Sequence, residues 1–375
     1  MSTRKIGVGI VGASTLNPGW AVYAHIPALS ALPEYELKAV STSQRNSAEA
    51  AATVLGVDAY DNHQALIAHP SVDLVVVTVK VPHHRAIVAS ALAAGKMVYS
   101  EWPLGNGLAE ANDLAAKARS AGVRTVVGLQ SRCAPGIRYL RDLVAEGYVG
   151  DVLATTLVAS GSAWGPATQR TQAYLYDAAN GATLLSITTL HALDAISLVL
   201  GNFATVSAKL AVRRTDIRVV EDETRIAATA PDQIAIAGSL GSGAVASIFY
   251  RGGVSRGSNL QWEINGSRGD LVVSCDVSES GDEAPGNIQI DDLKIAGGRD
   301  NDTSVHDLPI PRHYYELAPN SPAGFARNVG FTYAQFAKDL RDGTHFAPDF
   351  AHALKTHKLM NAIEVAARTG MAQAV

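Results

Sequence analysis

The residues best suited to chemistry begin with a glycine-containing loop after the first apolar run, in the segment 9–20. Glycine at such a strand-to-helix turn lets the backbone approach a pyrophosphate, which then lies at the helix N-terminus. The loop is longer than the usual fingerprint, and Ser14 and Asn17 stand where glycines are common. We predict a dinucleotide site that includes Gly12, Ser14, Asn17 and Trp20. The alternative is a tight turn in another kind of α/β protein.

A second polar group follows the next apolar run, where Ser41, Thr42, Ser43 and Arg45 occur without an Asp or Glu. An acidic side chain at this place accepts hydrogen bonds from the adenosine ribose of NAD and repels a 2′-phosphate. Hydroxyl groups and a guanidinium can instead bind that phosphate. The pattern favours NADP over NAD, and the alternative is a solvated polar loop.

Length and composition bound the class of protein. The chain has 375 residues, of which 47% are apolar and 18% charged. At roughly 150 residues per domain this length predicts two domains, and the composition excludes disorder over most of the chain. The net charge is −4 without a basic block, so we expect neither nucleic acid nor a membrane as partner. Cys133 and Cys275 lie far apart in sequence, which fits a reducing cytoplasm.

Two apolar stretches could be mistaken for targeting or membrane segments. Residues 1–5 precede an apolar run that glycines interrupt, which is not typical of a signal peptide. The stretch 73–81 is too short to span a bilayer and contains Lys80. We therefore expect a cytoplasmic protein.

The elements that must position these residues alternate in the first third of the chain. Short β-branched runs between Ala-rich stretches are typical of parallel strands joined by crossover helices. We predict strands at 6–11, 37–41, 74–79, 97–100 and 125–129. We predict helices at 47–55, 84–94 and 108–121. Right-handed crossovers make this a doubly wound α/β sheet that binds its ligand over the carboxyl ends of the strands.

Beyond residue 130 the pattern changes to that of an α+β domain with a large, mostly antiparallel sheet. Helices are predicted at 136–146, 182–200, 323–341 and 351–369. Strands are predicted at 151–161, 205–212, 224–230, 233–240, 244–251, 260–265 and 270–274, with tight turns at 241–243 and 266–269. The segment 279–302 is expected to be a loop. We thus predict a dinucleotide-binding domain over 1–130 and a substrate-binding and oligomerisation domain over 131–375, with the closing helices 323–369 packing back between them.

The triplet Glu101-Trp102-Pro103 resembles a motif of the Gfo/Idh/MocA oxidoreductase family, which carries Glu-Lys-Pro at this place. The resemblance covers nearly the whole chain in order, and within the family it is strongest to a branch of fungal repressors that bind NADP. Further matching segments are 91–96, 147–151, 266–270 and the helical element around His191. Features shared with the repressor branch are Gly19-Trp20, 128–130, Asn180-Gly181, Thr188-Thr189, and Phe249 through Gly252-Gly253. The resemblance implies a Rossmann domain and nicotinamide chemistry.

Two departures from the family bear on mechanism. The family uses the Lys of its triplet to polarise the reacting oxygen, and an Asp four residues before a helical His to assist proton transfer. Here those places hold Trp102 and Ile187, whereas His191 is retained. An imidazole at that position can exchange the substrate proton near neutral pH. The alternative is that His191 is a structural histidine of the helix.

Lys80 is the candidate for a replacement cation. It lies in the loop after the strand 74–79, where the family usually has Pro, and this loop borders the nicotinamide in the fold. We hypothesise that its ammonium group supplies the positive charge that Trp102 lacks. The alternatives are that it binds ribose or phosphate of the cofactor, or points to solvent.

The resemblance also implies which other residues face the ligands. On the cofactor side we expect Val79, Lys80, His84, Glu101, Trp102 and Gln130. On the substrate side we expect Trp102, Arg132, Trp164, Tyr174, Tyr176, Asp177 and His191. Trp102 is most simply a packing residue, although its face could stack on nicotinamide or a sugar-like ring. We expect no metal, because histidines such as His352 and His357 fit no ligand spacing.

These observations lead to three functional hypotheses. The first is an NADP-dependent oxidoreductase that moves a hydride between nicotinamide and an alcohol or carbonyl of a small sugar-like or cyclic substrate. The second is a catalytically silent NADP-binding sensor, as the repressor resemblance and the two departures suggest. The third is a lyase or glycosidase that retains its cofactor and shows no net redox change. The alternating apolar runs 233–240 and 244–250 further predict a homodimer or homotetramer through the C-terminal sheet.

Overall fold

The computed structural model describes residues 4–275 and 286–375 and consists of two compact units. The first unit comprises Met1–Ala134 and Tyr315–His357, and the second comprises Pro135–Tyr314 and Lys358–Val375. From the sequence we predict a second domain over 131–375, with the closing helices 323–369 packing back between the two domains. In the structure the segment Tyr315–His357 belongs instead to the unit that contains the dinucleotide loop.

The helices and strands are numbered here in chain order. The strands are β1 Ile6–Val11, β2 Tyr35–Ser41, β3 Asp58–Tyr60, β4 Leu74–Val77, β5 Met97–Ser100, β6 Thr125–Val127, β7 Val152–Gly161, β8 Ala167–Thr168, β9 Phe203–Ala211, β10 Asp216–Val219, β11 Arg225–Ala227, β12 Gln233–Leu240, β13 Val245–Gly252, β14 Leu260–Gly266, β15 Gly269–Cys275, β16 Leu293–Arg299, β17 His306–Asp307 and β18 Gln373–Ala374. The α-helices are α1 Ile26–Ser30, α2 Arg45–Leu55, α3 His63–Ala68, α4 His84–Ala93, α5 Leu108–Ala121, α6 Pro135–Ala145, α7 Leu190–Leu200, α8 Phe325–Asp342 and α9 Phe350–Thr369.

The first unit is built on a six-stranded parallel sheet in the order β3-β2-β1-β4-β5-β6. This order confirms the doubly wound α/β fold, with its reversal point between β1 and β4. The strand β3 and the helix α3 were not predicted. The three residues of β3, Asp-Ala-Tyr, carry no β-branched side chain, so the pairing of this strand with β2 decides its conformation.

The core of the first unit joins this sheet to α8. Val8, Ile10, Leu74 and Val76 of the central strands are fully buried, as expected for strands covered on both faces. The same apolar cluster includes Val329, Phe331 and Phe336 of α8. The helix is therefore an integral part of the dinucleotide-binding unit.

The loop that follows α8 is held by one fully buried carboxylate, that of Asp339. Its Oδ1 accepts hydrogen bonds from the Gln335 amide at 2.8 Å and the Thr344 hydroxyl at 2.7 Å. Its Oδ2 accepts the backbone N–H groups of Phe346 at 2.8 Å and Ala347 at 2.7 Å. These four donors satisfy a charge that would otherwise be costly to bury.

The second unit contains a nine-stranded sheet in the order β17-β16-β15-β14-β7-β13-β12-β9-β18. Its neighbours are antiparallel except for β7 and β13, which confirms the mostly antiparallel sheet. The two predicted tight turns join β12 to β13 and β14 to β15. A separate three-stranded sheet has the order β11-β10-β8.

The predicted loop 279–302 is wrong over Leu293–Arg299, which forms β16 and pairs with β15. Gly297, Gly298 and the charged residues of this stretch hid the short alternation of Leu293 and Ile295 with polar neighbours. Residues 279–285 of that prediction lie outside the described residues.

The large sheet has one buried face and one outward face. Ile248, Tyr250, Trp262 and Ile264 point inward and are buried. Gln233 and the charged Arg251 are paired at one end of the outward face. The other outward positions of the three adjacent strands β7, β13 and β12 carry small, hydroxyl or apolar side chains. They are Ala154, Thr156 and Val158, then Val245, Ser247 and Phe249, then Ala235, Ala237 and Ser239.

None of the helices in the described part of the chain combines the length and the apolarity needed to cross a bilayer.

Candidate functional site

A cleft of about 780 Å³ lies at the carboxyl edge of the parallel sheet in the first unit. Its walls come from the segments that follow β1, β2, β3 and β4. Eight predicted cofactor residues line it: Gly12, Ser14, Asn17, Ser41, Thr42, Ser43, Val79 and Lys80. The cleft therefore lies where a doubly wound sheet binds a dinucleotide.

The close approach of two loops at the floor of the cleft requires glycine at position 12. Gly12 has φ +103°, and a Cβ atom there would lie 2.8 Å from Thr78 Oγ1 and 3.0 Å from Val79 Cγ1. The Thr78 hydroxyl is fixed by donating to the Val11 carbonyl at 2.8 Å. The Gly12 N–H donates to the Ser41 carbonyl at 2.8 Å, so the donors for an anion must come from later residues of the loop.

The loop after Gly12 is braced by Ser14, whose Oγ accepts the Asn17 N–H at 3.2 Å. Because that oxygen acts as acceptor, the Ser14 hydroxyl proton is available to a phosphate oxygen. Trp20, predicted to bind cofactor, lies outside the cleft lining and packs edge-on against Phe325 at 5.6 Å between ring centres.

At the end of β2 the hydroxyl groups have different partners. Ser41 Oγ is buried and has no hydrogen-bond partner within residues 4–275 and 286–375. The Thr42 hydroxyl donates to the Gln44 carbonyl at 2.9 Å and accepts from Ser47 Oγ at 2.7 Å. An orphaned buried hydroxyl beside Gly12 fits a polar ligand such as a ribose or phosphate group.

The prediction that Arg45 binds a 2′-phosphate is not supported by its position. The Arg45 side chain is 84% exposed and lies outside the cleft lining, and its Nε donates to Glu49 Oε1 at 2.9 Å. Asp61, Asn62 and His63 line this part of the cleft instead.

His84 also differs from the prediction, because its ring is structural. It is buried, with Nδ1 2.9 Å from the Pro103 carbonyl oxygen and Nε2 2.8 Å from that of Val79. Burial lowers the pKa of His84, although both carbonyl contacts oppose the shift. The ring thereby fixes the turn that presents Val79 and Lys80 to the cleft, with Lys80 itself exposed.

The β5 end carries Glu101 and Trp102. Glu101 Oε1 lies 3.0 Å from Nε2 of the buried His25. Trp102 is buried and packs on the ring of His357 at 4.6 Å between ring centres. Burial lowers the pKa of His357 to about 4, so this ring is neutral at pH 7. Trp102 therefore packs against His357, and its stacking on nicotinamide or a sugar-like ring stays a prediction.

The end of β6 leads into a 3₁₀ turn over Gln130–Cys133, which contains both Gln130 and Arg132. Gln130 is 2% exposed, and its Oε1 has no hydrogen-bond partner in the described part of the chain. The amide thus has unused capacity at the same edge of the sheet as Glu101.

Trp164 and Tyr176, two predicted aromatic residues of the substrate side, form a structural cluster in the second unit, whereas Trp102 belongs to the first. Trp164 Nε1 donates to the Leu175 carbonyl at 3.1 Å. The Tyr176 hydroxyl donates toward the carbonyl oxygens of Ala163 at 2.7 Å and Gly165 at 3.0 Å, and burial raises its pKa to about 12. Tyr176 is therefore committed to the fold.

Tyr174 and Asp177 flank this cluster. Tyr174 is half-buried, which raises its pKa. Asp177 is exposed, and its Oδ1 accepts the Ala179 N–H at 3.0 Å as a cap of the short helical turn 178–180. The exposed carboxylate has a local structural role in addition to any ligand contact.

His191 lies near the start of α7, directly after a π-helical turn over Leu185–Thr189. The side chain is buried, and desolvation lowers its pKa to about 4, while the Asp194 carboxylate opposes the shift. His191 is consequently neutral at physiological pH. A neutral imidazole can accept a proton at one ring nitrogen, as a general base must.

Lys80 and His191, the two predicted catalytic residues, belong to different units. Within the described residues there is no group of three or more His, Cys, Asp or Glu side chains arranged for a metal ion.

Comparison with known proteins decides the family. Residues 6–129 match the family model of the Gfo/Idh/MocA oxidoreductases, whose description is an oxidoreductase family with an NAD-binding Rossmann fold. Residues 135–275 match the model of the Gal80p C-terminal domain. A dehydrogenase of Aspergillus oryzae, aclE, is 32% identical over 283 residues, which cover 72% of this chain and 77% of that protein. The chain belongs to the Gfo/Idh/MocA oxidoreductase family.

The proteins that this chain resembles include a regulator as well as enzymes. The galactose/lactose metabolism regulatory protein GAL80 of Saccharomyces cerevisiae is 25% identical over 296 residues, covering 73% of this chain and 68% of that protein. A super-repressor mutant of Gal80p superimposes with a TM-score of 0.86 at 22% identity over 99% of both chains. Levoglucosan dehydrogenase in complex with NADH and levoglucosan gives 0.83 at 18% identity, over 99% of this chain and 100% of that one. The two structural matches establish a shared fold.

Several residues at or near the candidate site were not predicted from the sequence. Asp61, Asn62 and His63 escaped because β3 and α3 were not predicted, although Asn62 is a recognisable helix cap that accepts the Ala65 N–H at 2.8 Å. His25 was missed because nothing in its apolar neighbourhood signals a polar contact with a residue 76 positions away.

Proposed function

We propose that this protein is an NADP-dependent oxidoreductase acting on an alcohol or carbonyl group of a small sugar-like or cyclic molecule. The observation that carries the proposal is the cleft at the reversal point of the sheet, with Gly12 at its floor and the Lys80 ammonium group at its β4 side. The dehydrogenase aclE, similar over most of the chain, supports an enzyme.

The residues of the cleft fit a dinucleotide. Ser14 and Asn17 would hold the pyrophosphate where Gly12 lets the backbone come close to it, and Ser41 would contact the adenosine side. The nicotinamide, when bound, supplies the hydride transfer. Lys80 would stabilise negative charge on the reacting oxygen, and neutral His191 would take the proton of a substrate hydroxyl.

The preference for NADP is supported by the end of β2, which lacks a carboxylate and offers the Ser43 hydroxyl. His63 also lines the cleft, directly after β3, and its side chain would carry the positive charge there in place of Arg45. Burial lowers the pKa of His63 in the protein alone, and a bound phosphate dianion would favour its protonated form. Asp61, on the same wall, works against the phosphate, so the balance between these side chains decides the selectivity.

A second candidate function is a cofactor-binding sensor without turnover. It is favoured by Trp102, which stands at the family's Lys position and is buried against the uncharged ring of His357. Similarity to the regulatory protein GAL80 supports the same interpretation.

The test is a screen with purified protein for NADPH oxidation and NADP reduction at 340 nm, using sugars, polyols, ketones and aromatic carbonyls. An oxidoreductase gives a steady absorbance change with at least one substrate. Binding of NADPH without any turnover would favour the sensor. Product without net absorbance change would indicate a redox-neutral lyase or glycosidase.

The role of Lys80 is tested by Lys80→Met. Loss of a charge aimed at the reacting oxygen lowers kcat by about 10²-fold, and we expect NADPH affinity to change much less. The matched control is Lys117→Met on α5, which removes an exposed ion pair with Asp113. An unchanged kcat for Lys80→Met would remove Lys80 from the proposed chemistry.

We also propose that two copies of the chain pair through the outward face of the nine-stranded sheet. Across the directly paired strands β12, β13 and β7, Ala235, Phe249 and Val158 lie side by side. Phe249 is 36% exposed and Val158 40%. This row of three uncharged side chains crosses three adjacent strands, with Lys209 and Gln261 at its two ends, and suits a self-complementary contact.

A further inference from the structure

Three polar side chains, those of Tyr333, His25 and Glu101, are joined by hydrogen bonds beneath the end of β5 and take no part in the proposed chemistry. We call these three side chains the relay. Tyr333 of α8 and His25 are both fully buried, with the Tyr333 hydroxyl 2.7 Å from His25 Nδ1. His25 Nε2 lies 3.0 Å from Oε1 of Glu101, whose side chain is 15% exposed. The relay thus begins in the core at Tyr333 and ends at the edge of the sheet on the partly exposed carboxylate of Glu101.

The direction of the hydrogen bonds follows from the chemistry of the three groups. An ionised carboxylate only accepts, so Nε2 carries the proton and donates it to Glu101. Nδ1 is then the acceptor, and the Tyr333 hydroxyl donates to it. The tautomer with its proton on Nε2 satisfies both contacts, so the two hydrogen bonds fix the ring and, through it, one oxygen of Glu101.

Two backbone features make room for this arrangement. His25 is the last residue of a π-helical turn, Ala21–His25, which replaces regular α-helix before α1. Gly128, after β6, faces Glu101, and a Cβ atom there would lie 2.6 Å and 2.7 Å from the two carboxylate oxygens. Departures of this kind from regular geometry are commonly retained where a side chain must be placed for function.

A purely structural role accounts poorly for this relay. Burying an imidazole beside a carboxylate stabilises a fold little, if at all, compared with apolar side chains of similar size. Glu101, the partly exposed end of the relay, instead follows β5 and so lies on the β4 side of the reversal point of the sheet. In the order β3-β2-β1-β4-β5-β6 the adenosine half of a dinucleotide lies over β2 and β3, so the other half extends over β4 and β5.

We propose that His25, held by Tyr333, is a positioning residue that fixes the Glu101 carboxylate to accept hydrogen bonds from the ribose hydroxyls on the nicotinamide side of the cofactor. This inference rests on the proposed dinucleotide function. Glu101 makes the contact with the ligand, and His25 acts only through Glu101.

The experiment compares the affinity of the whole protein for NADPH and for 2′,5′-ADP, which contains only the adenosine half. His25→Leu should weaken NADPH binding at least tenfold and leave 2′,5′-ADP binding within twofold. His25→Gln, whose amide can still donate to Glu101, should recover most of the lost affinity. Tyr333→Phe removes only the hydroxyl, so a smaller weakening of about threefold is expected, and this variant serves if His25→Leu does not fold.

A double-mutant cycle with Glu101→Gln tests whether His25 acts through the carboxylate. The double variant should bind NADPH no more than twofold more weakly than Glu101→Gln alone. The matched control is Tyr35→Phe, which removes a buried hydrogen bond of 2.8 Å to the Tyr333 carbonyl in the same cluster without touching the relay. Its ratio of NADPH to 2′,5′-ADP affinity should equal that of the wild type.

Additive effects of His25→Leu and Glu101→Gln, or equal weakening of both ligands by His25→Leu, would overturn the positioning role. So would unaltered NADPH affinity in both His25→Leu and Tyr333→Phe. If the wild type bound neither ligand, the proposed function itself would fall, and this inference with it.

Discussion

Substitution of Gly12 by Ala separates the cost of folding from the cost of binding. With φ +103°, an alanine at this position is strained by about 1–2 kcal/mol. Its Cβ would also lie 2.8 Å from Thr78 Oγ1, and displacing that hydroxyl sacrifices a hydrogen bond worth about 1 kcal/mol. We expect the protein without ligand to lose about 2–3 kcal/mol in its free energy of unfolding.

Binding should suffer separately, because relief of that contact moves the loop into the space where the backbone meets the pyrophosphate. We expect NADPH affinity to fall at least tenfold, which corresponds to about 1.4 kcal/mol. Titration of NADPH fluorescence measures the affinity, and urea unfolding without ligand measures the stability.

Gly56→Ala is the matched control, since Gly56 also has a positive φ, +66°, but a Cβ there would meet nothing within 4 Å. This variant should lose about 1 kcal/mol of stability and keep wild-type affinity. If Gly12→Ala bound NADPH as tightly as Gly56→Ala does, the loop could not be the pyrophosphate site.

Three further predictions concern stability and assembly. Asp339→Ala leaves the buried Ala347 N–H and the partly buried Phe346 N–H without their acceptor and should cost about 2–4 kcal/mol by urea unfolding; a loss below 1 kcal/mol would show that the loop does not depend on the carboxylate. The folded-state pKa of His191, about 4, lies below its ordinary 6.5, so the unfolded chain takes up the proton first and stability falls as pH drops from 6.5 toward 4. Between pH 7.5 and pH 5, protonation of this group in the unfolded chain lowers the free energy of unfolding by about 2 kcal/mol. Over the same pH range, the His191→Phe variant should therefore lose about 2 kcal/mol less stability than the wild type, and equal losses would contradict the low pKa. Phe249→Lys should convert the proposed dimer to monomer in sedimentation velocity at micromolar concentration, whereas Lys117→Met should not, and an unaltered sedimentation coefficient would place any interface elsewhere.

Much of the fold was predictable because local pattern and tertiary environment agree there. The strands β1 and β5 and the helix α5 have the bounds that were predicted from their apolar runs and caps. Where sequence and environment disagree, pairing decides the conformation: Tyr60 is the only strand-favouring residue of β3, and this strand forms because β2 lies beside it. The strand β16 likewise takes its conformation from its neighbour β15.

The candidate site was predictable as a set of loops but not as a set of orientations. Residues such as Gly12 and Lys80 follow strand ends, and the carboxyl ends of parallel strands meet at one edge of a sheet. Trp20, Arg45 and His84 follow the same strands or their helices, yet each side chain is turned away by its own contact: a ring 305 positions further on, a neighbouring glutamate or two carbonyl oxygens. Such contacts are set by packing between distant parts of the chain, which a single sequence does not reveal.

The dinucleotide-binding unit is discontinuous, and this shapes how the chain can be made. Residues up to Ala134 leave the ribosome long before α8, which supplies Val329, Phe331 and Phe336 to their shared core. At bacterial or eukaryotic translation speeds the intervening stretch of roughly 180 residues takes on the order of tens of seconds to synthesise. Throughout that interval the apolar surface that α8 later covers is exposed on the nascent sheet, so we expect the emerging polypeptide to bind chaperones until α8 has been synthesised.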